Sequence, residues 1–180
     1  MSACIALIRG INVGRGNRIA MSDLRALVAD LGHTDVRTLL NSGNVIFQSK
    51  RPNVAKISSG IQAAITAECG FSAPVMVMTA QYLDRIIEEN PLLHLVNDHA
   101  RHLVAFVADA EHLEPLRPLL TATWTPDALA ITQRAAYLWC LSGLLESKVS
   151  QAFTRKAGAT VTTRNWATVL KLQAAAKDQT

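Results

Sequence analysis

Between Arg9 and Arg18 the 180-residue chain reads Arg-Gly-Ile-Asn-Val-Gly-Arg-Gly-Asn-Arg. Gly10, Gly14 and Gly16 permit positive φ, so successive backbone N–H groups can gather into a concave nest, and Arg9, Arg15 and Arg18 add full charges. A helix expected to follow adds partial positive charge at its N-terminus. Such a run suits an anion, most simply phosphate. Its spacing is that of neither a P-loop nor a dinucleotide-binding turn, which sets those two nucleotide fingerprints aside. The plainer reading is a surface loop whose glycines make turns. A second polar segment, Thr162-Thr163-Arg164-Asn165-Trp166, stands at the expected start of the final helix. Thr162 or Thr163 is placed to cap that helix, with Arg164 and Asn165 presenting donors beside its positive end. Its plainer reading is a capped helix with Trp166 buried beneath it.

Charge is uneven. The chain carries 18 Lys and Arg against 14 Asp and Glu, a net charge of +4. Both ends are basic and the middle hundred residues are acidic. If the ends lie close in space, the two polar segments form one cationic cleft that steers anions better than a scattered charge does. The expected ligand is then a phosphate-bearing small molecule or a nucleic acid backbone. Arg9 and Arg164 act as charged donors, Asn12 and Asn165 orient the ligand, and the Gly10–Gly16 backbone cradles it. The alternative is a scaffold or dimerising module in which these residues lock structure and bind nothing small.

Other constellations have structural explanations. Asn41-Ser42-Gly43-Asn44 offers amides and a hydroxyl, yet these are the residues a hairpin turn requires. Tyr137 and Trp139 alternate on one strand, as the stacking aromatics of RNA-binding sheets do, but core burial explains them more simply. His94, His99 and His102 lack a metal-binding arrangement, and the expectation is no metal site. Cys4, Cys69 and Cys140 are odd in number, far apart and set among apolar neighbours, as reduced packing residues are. No nucleophile and base share a recognisable local signature, so the sequence names no catalytic residue, reaction or cofactor.

With 49% hydrophobic and 18% charged residues the chain has the composition of a packed protein. Its first apolar run, Cys4 to Ile8, is too short for a signal-peptide core or a membrane span, so a cytoplasmic protein with no membrane partner is expected. The elements that must hold the polar segments follow from hydrophobic spacing. A strand is expected at 3–9, then a helix at 22–31 with Ser22 as its cap. A hairpin over 36–40 and 45–48, a helix at 54–68 and a strand at 74–78 complete a βαββαβ series. A connecting helix from Thr79 to Glu89 ends at Asn90-Pro91. The series then repeats, with a strand at 103–108, a helix at 111–120 weakened by Pro115 and Pro118, and a hairpin over 127–132 and 135–141. A helix at 146–157, a strand at 160–162 and a last helix at about 165–176 close it. The expected class is α+β, a tandem duplication of two ferredoxin-like βαββαβ units with antiparallel sheets plus a C-terminal helix. The units span 1–79 and 102–180, joined by a helix and linker at 80–101 and packed as one globule.

Three stretches, Ala6–Gly14, Val36–Phe47 and Thr162–Leu172, closely resemble the motifs of the domain-of-unknown-function 1697 family, in the expected order and across nearly the whole chain. The resemblance implies a duplicated α+β fold and no settled activity. It also implies that Arg9, Gly10, Asn12 and Gly14 belong to the family's opening motif, Ser42, Gly43 and Asn44 to its hairpin motif, and Thr163, Arg164, Asn165 and Trp166 to its closing one. Two departures stand out. Arg15 and Arg18 replace a further glycine and lysines that many members carry after Gly14, and Ala167 stands where many carry Asn.

Overall fold

The computed structural model describes residues 1–179. Residues 1–84 with 171 onward form one compact unit, and residues 85–170 form the other. This division differs from the 1–79, 80–101 and 102–180 expected from the sequence. The end of the chain belongs to the first unit because its amides bond there. Gln173 Nε2 donates to Asp84, Gln48 Nε2 to the Gln179 carbonyl, and Gln179 Nε2 to the Asp35 carbonyl.

The first unit runs β1 (Ser2–Ile8), α1 (Met21–Asp30), β2 (Thr34–Leu39), β3 (Asn44–Ser49), α2 (Val54–Cys69) and β4 (Val75–Thr79). Its sheet has the order β2-β3-β1-β4, every pair antiparallel. Cys4, Ala6 and Ile8 of β1 and Val45 and Phe47 of β3 alternate onto the face where Leu24, Leu27 and Val28 of α1 and Ile61 and Ile65 of α2 cover them. Helix α1 starts one residue earlier than expected. Ala20 is the N-cap and has no capping side chain, while the Ser22 hydroxyl bonds Asp23. The helix α3 (Ala80–Glu88) begins where the Thr79 hydroxyl accepts the Tyr82 N–H.

The second unit repeats the series: β5 (His102–Val107), β6 (Ala128–Ile131), β7 (Ala135–Trp139), α4 (Lys148–Ala157) and β8 (Val161–Asn165), with sheet order β6-β7-β5-β8. The expected helix after β5 is instead a twelve-residue 3-10 helix, Ala110–Thr121. Pro115 and Pro118 cannot donate to an α-ladder, and each disfavours the α region for the residue before it. Leu113, Leu116 and Leu119, three apart, form the buried stripe that a three-residue turn aligns. Helix α5 (Trp166–Lys177) closes the chain. Among the described residues no helix is long and apolar enough to cross a membrane.

Candidate functional site

The strand β1 delivers the chain into the first loop, residues 9–20, which two buried side chains pin to the core. Ile11 is 1% exposed and Ile19 is 6% exposed. Burial of each contributes roughly 1.5–3 kcal/mol, enough to hold a glycine-rich segment in one shape. Between these anchors Asn12 is the staple. Its Oδ1 accepts the Ile19 N–H at 3.0 Å, and its Nδ2 donates to the carbonyls of Ile19 at 2.9 Å and Asn41 at 3.0 Å. The Asn12 N–H closes the loop on the Asn17 carbonyl at 2.9 Å.

Held this way, the backbone alternates in hand. Gly10, Asn12 and Gly14 have φ of 73°, 56° and 63°, and Ile11 and Val13 between them have negative φ. Alternation of this kind favours N–H groups turned toward one side, as in anion-binding nests, and the middle one, of Asn12, is spent on the Asn17 carbonyl. Among the described residues the N–H groups of Gly10, Ile11, Val13 and Gly14 meet no protein acceptor. Gly16 does not share the positive φ, and the left-handed residue near it is Asn17 at 49°. The run of alternating φ is therefore Gly10–Gly14, shorter than the Gly10–Gly16 cradle expected from the sequence.

The hairpin turn at Asn41–Asn44 is built against this loop. The Ile8 N–H donates to the Gly43 carbonyl at 2.7 Å. A Cβ on Gly43 would stand 2.7 Å from the Ile8 carbonyl oxygen and 3.0 Å from Ile11, and its φ is 78°. Only glycine fits there. Asn44 is fully buried, and its Nδ2 donates to the Leu39 carbonyl at 2.9 Å and the Ser42 hydroxyl at 3.0 Å. The side chains of Asn12 and Asn44 thus spend their amide hydrogens on the fold.

Of the loop arginines, Arg9 is half-buried and its N–H donates to the Pro74 carbonyl. Arg15 is exposed. Arg18 folds back, its guanidinium donating to the Gly14 carbonyl at 2.6 Å. No carboxylate occurs from residue 9 to residue 22, and Asp23 in the first turn of α1 is the nearest in sequence.

In the second unit β8 continues through Thr163, Arg164 and Asn165, paired with Ala105, Val104 and Leu103 of β5. The expected threonine cap is therefore corrected. Thr162 and Thr163 are β-branched residues committed to the ladder, and Asn165 caps α5 by accepting the Thr168 N–H at 2.9 Å. Arg164 is half-buried and donates to the Thr163 carbonyl at 2.8 Å. Burial pulls its guanidinium down to about 10, which leaves it charged at neutral pH. Trp166 is buried, its ring 5.3 Å from that of His102.

The remaining candidates resolve into structure. Tyr137 and Trp139 are buried, and the Tyr137 hydroxyl donates to the Ile86 carbonyl at 2.7 Å. His102 is buried while His94 and His99 are exposed. Among the described residues no group of three His, Cys, Asp or Glu is placed to hold a metal ion. All three cysteines are free, and burial pushes the Cys4 thiol up to about 11. The anchors Ile11 and Ile19 and the acceptor Asn41 were missed as parts of the loop. Their signal was two isoleucines inside an otherwise Gly, Asn and Arg segment.

A sequence model described as a protein of unknown function, DUF1697, matches residues 1–137. A solved structure, the conserved bacterial protein SP0830 from Streptococcus pneumoniae, is similar with a TM-score of 0.78 at 20% identity, over 97% of this chain and 98% of that one. At that identity the likeness concerns the fold. Comparison with curated proteins gave no match.

Proposed function

The chain belongs to the DUF1697 family, and from the geometry of its own first loop we propose that it binds a phosphate-bearing ligand there. The observation that carries this reading is the alternating φ of Gly10–Gly14 with four N–H groups that meet no protein acceptor. Arg15 supplies mobile charge at the rim and Arg9 charge at the base. Arg18 does a different job, bracing the Gly14 carbonyl so that the nest keeps its curvature. Asn12 shapes the nest and leaves recognition to the backbone. Thr163, Arg164 and Asn165 form the second part of the proposal, with the Arg164 charge as its donor. Phosphate fits the nest because a compact dianion accepts several converging N–H donors at once.

A thermal-shift series with phosphate, nucleotides and phosphorylated sugars tests the reading. A ligand present at 100 times its Kd adds about 2.7 kcal/mol of stability. Substituting Arg15 by Ala should reduce that shift, and substituting Arg164 reports separately on the second segment. Salt titration against mixed-sequence RNA and DNA tests the nucleic-acid version, whose affinity must fall steeply as salt rises.

The second reading, a scaffold module without a small ligand, is supported by the full structural commitment of the Asn12 and Asn44 amides. It predicts that no anion stabilises the chain beyond the effect of ionic strength.

A further inference from the structure

The register pairs Ser2 with Ser49 and Leu7 with Asn44. Ser49 therefore lies five residues from Asn44 along β3, about 16 Å toward the end of the sheet remote from the first loop. There the first unit has a hollow of about 280 Å³, whose lining includes His33, Ser49, Arg51, Asn53, Lys56 and Gly60. No carboxylate lines it. We infer that this hollow is a second anion site, built for the dianionic phosphate of a small phosphomonoester.

Helix α2 borders the hollow with its N-cap and one flank, through Asn53, Lys56, Ile57 and Gly60. It is sixteen residues long, with Asn53 as its N-cap accepting the Lys56 N–H at 3.0 Å. Its first turn holds no acidic residue, in contrast to α1, where Asp23 occupies that position. The N–H groups of Val54 and Ala55 have no protein acceptor among the described residues, and the helix end favours negative charge.

A helix end alone would not single out this place, but Ser49 does. The alternation of β3 puts Ser49 on the same face as Val45 and Phe47, beneath the helices. It is 8% exposed, and among the described residues its hydroxyl has no hydrogen-bond partner. Ser49 lines the hollow, where its hydroxyl is open to an occupant.

The other walls divide the work. Arg51 and Lys56 bring full charge from exposed positions. His33 packs tilted against Phe47 with ring centroids 4.6 Å apart, and burial lowers its pKa, which disfavours the charged ring. Leu31 and Ile57 line the apolar side, and Gly60 leaves open space where a side chain would stand. The volume is at the small end of ligand pockets, which run from about 300 Å³ upward, and fits a phosphate with a short organic body.

The test is a titration of the isotopically labelled full chain, followed by amide resonances at constant ionic strength. The probes are inorganic phosphate, phenyl phosphate and dimethyl phosphate. The expected result is saturable movement of the Ser49, Asn53 and Lys56 amides with the two dianions and little with the monoanionic diester. Phenyl phosphate binding more tightly than phosphate identifies an organic monoester as the ligand class, and equal binding identifies free phosphate. Arg51→Gln and Lys56→Gln, both at exposed positions, should each weaken binding roughly fivefold or more through loss of a charged donor. Ser49→Ala should weaken it less. Absence of saturable movement at these three amides overturns the inference, as does movement that survives both charge substitutions. The Gly10–Gly14 amides report the first loop in the same spectra, so either site can fail without the other.

Discussion

The side-chain amide of Asn12 donates to the backbone carbonyl of Asn41 at 3.0 Å, across 29 residues of chain. Through that bond the first loop and the first hairpin turn hold each other's shape. Replacing Asn12 by Ala removes three hydrogen bonds and leaves a side chain in the left-handed region. The expected loss is about 2–3 kcal/mol, measured as a shift in the urea midpoint. Replacement by Gly should recover roughly 1 kcal/mol of that loss, because it removes the backbone penalty alone.

Glycines of the same loop and turn should differ in cost. Ala at Gly43 meets the Ile8 carbonyl oxygen and carries a φ of 78°, so a loss of about 2–4 kcal/mol is expected. Ala at Gly10 meets open space at a φ of 73°, and about 1 kcal/mol is expected. Gly60 lies within α2 with open space around it, so Ala there should add about 0.5–1 kcal/mol. Denaturant unfolding of the three variants orders them.

His102 should make the second unit sensitive to acid. Its Nδ1 bonds the Leu138 carbonyl at 2.9 Å, which fixes the proton there and leaves Nε2 to accept from Asn90 Nδ2 at 2.7 Å. Asn90 cannot simply turn over, because its Oδ1 holds the Leu92 N–H. Burial lowers the His102 pKa below 6.5, opposed by the Leu138 carbonyl and assisted by His99. The unfolded chain then binds the proton more readily than the folded one. Stability from this group is complete above the unfolded value near 6.5 and is lost as pH falls below it. His33, also lowered by burial, acts in the same direction. Urea midpoints at about pH 7.5 and about pH 5.5 should differ, and His102→Gln should shrink the difference while lowering both.

How much of this was legible in the sequence depends on the kind of signal. Repeating apolar positions such as Leu24, Leu27 and Val28 located the elements, because burial on one face is what makes that spacing. Over 111–120 the spacing predicts a helix in which Pro115 and Pro118 are defects, whereas the structure is a 3-10 helix that accommodates both. The period of three in Leu113, Leu116 and Leu119 was the better guide. At the start of α5 a threonine cap was expected. The choice between Thr163 and Asn165 turns on where β8 stops pairing with β5, a long-range fact. The same holds for Asn12. Its residue type suggests a ligand partner as readily as a loop staple, and only the positions of Ile19 and Asn41 decide between them.

Arg15 is exposed beside the Gly10–Gly14 run, and under the proposed function its replacement by Ala should cost phosphate affinity without touching stability. One lost charge-assisted donor at a solvated position predicts about 1 kcal/mol, roughly a fivefold rise in Kd. The unfolding midpoint without ligand should stay within about 0.5 kcal/mol of the parent. Calorimetric titration of both proteins with phosphate, paired with urea unfolding, measures the two effects separately.

The most direct measurement is the response of the Gly10, Ile11, Val13 and Gly14 amide protons to inorganic phosphate, with sodium chloride holding ionic strength constant. An occupied nest predicts that these four signals move together and saturate at one common Kd, weakened in Arg15→Ala. If they stay in place up to phosphate concentrations that perturb exposed lysine and arginine side chains generally, the first loop is a structural turn and the phosphate account is wrong.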